Sequence, residues 1–66
     1  MEEDLTLTLT LKRLRDEHRA LDGEISSLQQ QPYFDQLLLQ RMKKRKLWLK
    51  DAIVRIESRL IPDLDA

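Results

Sequence analysis

The apolar residues of this chain recur at alternating steps of three and four. Leu7, Leu11, Leu14, Leu21, Ile25 and Leu28 keep that beat in the first half, with His18 in the remaining slot. Leu39, Met42, Leu49, Ile53, Ile56 and Leu60 keep it in the second, with Lys46 in the matching slot. Such spacing draws a narrow stripe along one side of an α-helix, the signature of a seven-residue repeat written abcdefg with a and d apolar. The a positions are Leu11, His18, Ile25, Leu39, Lys46, Ile53 and Leu60, and the d positions are Leu7, Leu14, Leu21, Leu28, Met42, Leu49 and Ile56. Leucine, glutamine, lysine, arginine and glutamate, all good helix formers, dominate the same stretch. The fold class is therefore all-α.

The register continues through the middle, but Pro32 takes an a position and Asp35 the next d position. A proline inside a helix loses a hydrogen bond and clashes with the preceding turn, at a cost of about 3 kcal/mol or more. It also drives Gln31 away from helical geometry, while Asp35 suits the N-cap of a new helix. One long kinked helix paired with another chain is the alternative; the break favours an antiparallel two-helix hairpin with coiled-coil-like packing. Folding about Pro32 opposes Ile25 to Leu39, Leu11 to Ile53 and His18 to Lys46. The two polar interruptions of the seam then share one layer. The expected boundaries are helix 1 over about 5–30, a turn over about 31–35, helix 2 over about 36–61 and a tail at 62–66. Thr6, Thr8 and Thr10 alternate with leucines in a strand-like period of two. With no partner strand at hand, that stretch reads as a frayed or late-starting helix, with Asp4 as its N-cap. Pro62 stops the second helix.

At 66 residues the chain is a single domain, 1–66, and a domain of this size buries only about 60% of its unfolded surface. No cysteine is present to staple it or to hold zinc. Apolar runs such as Leu37-Leu38-Leu39 and Leu47-Trp48-Leu49 are too short to span a bilayer or to form the core of a signal peptide. A two-helix hairpin covers one stripe of each helix, yet Leu47, Val54 and Ile61 recur every seven residues at b positions, away from the seam, with Trp48, Leu37, Leu38, Tyr33 and Phe34 adding to the surplus. Leu47, Trp48, Val54 and Ile61 are thus the candidate interaction face. Packing that face against another hairpin gives a larger helical bundle, a homodimer or tetramer, or a seat for another protein.

Chemistry has few footholds. His18 is the only histidine; Glu17 beside it and Asp22 one turn onward make neither a complete metal site nor an acid–base pair. The simpler account is a polar seam layer, His18 with Lys46, that fixes register at some cost in stability. A single glycine rules out a glycine-rich phosphate loop, and Ser26, Ser27 and Ser58 have no nearby base. No catalytic, cofactor-binding or metal-ligating residue is expected, and no enzyme. Arg41, Lys43, Lys44, Arg45 and Lys46 crowd five cations into six positions, so Lys43, Lys44, Arg45 and Lys50 are candidate phosphate contacts in a second reading, a nucleic-acid- or ribosome-associated protein. Twelve acidic side chains against twelve basic ones weigh against it, as do the acids of the first helix, which can neutralise the run across the hairpin. The expected partner is the chain itself and then another protein, not nucleic acid or membrane. The expected pairs along the helices are Lys12–Asp16, Arg13–Glu17 and Asp51–Arg55.

Two segments resemble a known family. Glu17-His18, Leu21-Asp22 and Ile25 reproduce the first-helix pattern of the YdcH-like short bacterial proteins. The run from Met42 through Lys43-Lys44-Arg45-Lys46-Leu47-Trp48-Leu49-Lys50-Asp51 to Ile53 is similar to that family's second element. The likeness covers about 11–60. It departs at Met42, where the family has leucine, and at Ala52, where glutamate is common. The resemblance implies an α-helical hairpin in a bacterial cytoplasm, with no molecular function to carry over. It also implies that His18 and the basic run share a role in pairing or recognition.

Overall fold

The computed structural model describes residues 2–60, and side chains from residue 4 onward. Two α-helices, α1 (Glu2–Gln29) and α2 (Gln36–Leu60), pack side by side and antiparallel. The molecule measures 48 × 24 × 15 Å. Its thin dimension is little more than one helix with its side chains, about 10–12 Å, so each helix keeps an uncovered face.

The heptad stripe is the core. All fourteen a and d positions within the two helices are buried or half-buried, Pro32 and Asp35 between them being exposed, and only Phe34, Ala52 and Glu57 of the other described residues are half-buried. Leu11, Ile25, Leu39 and Leu49 are the most enclosed, Leu49 at 1% exposure. Their burial is the main drive that folds α1 onto α2.

The helix boundaries follow from hydrogen bonding. At the end of α1, the Gln30 amide donates to the carbonyls of both Ser26 and Ser27 (3.2 Å each), and the Gln31 amide donates to Leu28 (3.2 Å). The last turn thereby tightens toward 3₁₀ geometry before Pro32 forbids another helical residue. Asp35 caps α2: its Oδ1 accepts from the amides of Leu37 (2.9 Å) and Leu38 (3.2 Å), and its carbonyl accepts from Leu39 (3.0 Å). Phe34 and Leu39 occupy the two positions of a hydrophobic staple across that cap.

The amino-terminal expectation needs correcting. Helix α1 begins at Glu2, not near residue 5, and Asp4 lies inside it instead of capping it. The Thr8 hydroxyl donates to the Asp4 carbonyl at 2.8 Å, which satisfies a threonine within helical geometry. Half-buried Leu7 and buried Leu11 then hold the segment on α2, and packing outweighs the weak helix propensity of the threonines. Ile61 and the expected tail 62–66 lie outside the described residues.

Candidate interaction face

The seam is flanked by ion pairs that fix the direction of the helices. In an antiparallel pair, like letters meet across the flanks: e against e on one side, g against g on the other. Arg15 and Glu57, both e, pair on one flank. Glu17 and Arg45, both g, pair on the other at 3.2 Å. Glu17 therefore reaches across to α2 and not along α1 to Arg13. Lys12–Asp16 (3.3 Å) and Asp51–Arg55 (3.6 Å) form along their own helices as the spacing predicts.

Both polar seam residues are half-buried. Lys46 turns its ammonium out of the seam and donates to Oδ1 of Asp22 at 2.5 Å, one helical turn from His18. The Lys46 hydrogen bond, and after it the Lys46 charge, hold the Asp22 carboxyl below its ordinary value of 3.8; desolvation opposes them, and His18 adds the smallest lowering effect. Nε2 of His18 is buried and has no hydrogen-bond partner. Lys46 thus buries its methylene stem and keeps its charge in water, while the imidazole stays in the seam as a filler. No cluster of three or more metal-binding side chains occurs among the described residues, and no described helix is long and apolar enough to cross a membrane.

The outer surface of α2 carries the rest. Leu47 is 66% exposed, and Leu37, Trp48 and Val54 are each more than half exposed. The Arg45 guanidinium lies 5.0 Å over the Trp48 ring, so one cation of the basic run serves both Glu17 and an indole. Lys46 is held by Asp22, whereas Arg41, Lys43, Lys44 and Lys50 have no ion-pair partner among the described residues. Of the four candidate phosphate contacts, the hairpin itself therefore occupies Arg45 and leaves Lys43, Lys44 and Lys50.

Two grooves flank this surface. One, of about 550 Å³, lies at the turn end beside Ala20, Gly23, Ser27, Leu28, Leu38 and Met42. The other, of about 450 Å³, runs along the basic run between Leu37 and Leu47. Leu5 and Leu9, absent from the expected interaction face, add to the apolar surplus at 62% and 60% exposure. Extending the heptad back from Leu11 puts them at b and f, off the seam, so their exposure is legible in the spacing.

A family model described as "Protein of unknown function (DUF465)" matches residues 11–57, a span that takes in the paired helices from Leu11 to Glu57. No curated protein and no solved structure matches the chain.

Proposed function

The chain belongs to the DUF465 family, which includes the YdcH-like proteins it resembles, and from that premise we propose that it is a non-enzymatic hairpin acting by self-association and protein–protein contact in the cytoplasm. The observation that carries this reading is the contrast between a filled seam and an apolar surplus. Every a and d position of the two helices is already covered within one chain, yet Leu37, Leu47, Trp48 and Val54 face solvent along α2. A tryptophan and several leucines on the outside of a chain this small are a ready seat for another helix. If the assembly is built on the line of Leu47 and Val54, Leu47→Glu together with Val54→Glu is expected to dissociate it, read as molar mass by light scattering. An unchanged mass would exclude that line of residues.

The unpaired cations Arg41, Lys43, Lys44 and Lys50 support a second reading, in which phosphate backbones dock on α2. It predicts binding to mixed-sequence single-stranded RNA that weakens steeply between about 50 and 200 mM salt. Retention of affinity across that range would eliminate it.

A further inference from the structure

We propose that two copies pair about a two-fold axis parallel to the hairpin's length, each inserting Trp48 over Ala20 and Gly23 of the other, with Glu24 of each copy paired to Arg41 of the other. The proposal rests on the self-association reading and seats it on the flank of Trp48, with Leu47 and Val54 outside the contact.

The Glu17–Arg45 pair marks one flank of the hairpin. Glu24 shares the g position with Glu17, and Ala20, Arg41 and Trp48 all sit at c, the position next outward on the same flank. That flank therefore holds an exposed indole, a groove of about 550 Å³ edged by Ala20, Gly23 and Ser27, an exposed acid and an exposed base. Neither Glu24 nor Arg41 has an ion-pair partner among the described residues.

Symmetry then sets the register. A two-fold axis along the hairpin leaves heights unchanged and lays α1 of each copy over α2 of the other. Heights can be read from the pairs within one chain. Taken together, the pairs Arg15–Glu57, Glu17–Arg45 and Asp22–Lys46 put Trp48 within about one residue of the height of Ala20, and Arg41 about two residues, ~3.5 Å, from that of Glu24, a step an arginine side chain can reach across. A bulky ring thus faces the least bulky stretch of α1, and a free acid faces a free base. Both contacts form twice, closing a four-helix bundle of two chains. A side chain at Gly23 would meet nothing within 4 Å inside one hairpin, so the hairpin alone gives no reason for a residue that weakens a helix.

The opposite flank carries Leu47 and Val54 in place of the indole, with Arg15, Lys43 and Lys50 at e beside the acids Asp22 and Glu57, both of which already pair within the hairpin, with Lys46 and Arg15. Pairing through that flank becomes an outcome of the test.

The test is sedimentation equilibrium on the full chain with Glu24→Arg, Arg41→Glu and the two combined, helicity being checked by circular dichroism. Each single change is expected to weaken dimerisation at least about tenfold, and the combination to restore it. The unaltered protein supplies a second measurement: Trp48 emission should shift to the blue as concentration passes through the dimer Kd. A dimer broken by Leu47→Glu with Val54→Glu but indifferent to the charge exchange would overturn this interface and leave self-association standing. Loss of dimer in the single variants without rescue would overturn the Glu24–Arg41 pairing. A protein monomeric at every concentration would overturn both, as would an emission maximum that never moves the proposed seat of Trp48.

Discussion

Lys46 occupies a slot that leucine or isoleucine fills in most layers of the seam, and its charge survives there because Asp22 stands within reach. The consequence can be followed with pH. A carboxyl whose folded pKa lies below its unfolded one contributes stability that is complete above the unfolded value, and that contribution disappears as pH falls through the folded value. For Asp22 the loss is expected to begin below about pH 4 and to continue as the carboxyl protonates, with Lys46 as the main cause. Melting temperature followed from pH 7 to 2 should fall less steeply in Asp22→Asn than in the parent; parallel curves would exclude the pair as a contributor. The seam itself offers a complementary experiment. Leucine at both His18 and Lys46 removes the unpartnered imidazole nitrogen and fills two half-buried slots. The surface pair that is lost is screened by water and counts for little, whereas each added apolar side chain gains about 1.5–3 kcal/mol at full burial. The melting temperature should rise by at least about 5 °C, since about 1 kcal/mol moves a domain of this size by 4–8 °C. A clear drop would show that the polar layer stabilises the hairpin.

At the scale of the elements, most of the architecture was written in the spacing of the apolar residues. Steps of three and four located the seam, Pro32 located the break, and Asp35 appears in the structure as the cap its position suggested. Truncating that cap, Asp35→Ala, should cost about 1 kcal/mol of stability by chemical denaturation, with little change in helicity; no measurable loss would mean water serves the α2 amides as well. The start of α1 was less legible, because Thr6, Thr8 and Thr10 obey a local period that contradicts the longer one. Which period wins is decided by Leu7 and Leu11 meeting α2, a contact that no local window contains. The flanking ion pairs divide in the same way. Lys12–Asp16 and Asp51–Arg55 follow from spacing along one helix, but Glu17 had two cations to choose from, and the choice of Arg45 depends on how the helices face each other.

For the whole molecule, the sequence announced the surplus of apolar side chains but not how that surplus is distributed. Leu47, Trp48 and Val54 stand exposed as their positions implied, yet Leu47 and Val54 lie toward the flank of Lys43 and Lys50 and Trp48 toward that of Glu24 and Arg41. That division comes from the antiparallel pairing of e with e and g with g, which a one-dimensional pattern does not contain. The cations divide similarly, since the run read as a single basic segment is partly consumed by Glu17 and Asp22.

The contacts across the hairpin also order its folding in time. Asp22–Lys46 and Glu17–Arg45 close spans of 24 and 28 residues, whereas Arg15–Glu57 closes 42. Loop-closure entropy grows with span, so the economical route starts beside the capped turn and zips toward the open end on the fast timescale of locally connected helices. Contacts near the turn then belong to the barrier-crossing ensemble, and those at the open end form after it. In stopped-flow or temperature-jump kinetics, Asp35→Ala should chiefly slow folding, and Arg15→Ala should chiefly hasten unfolding. The reverse assignment would mean that the hairpin closes from its far end.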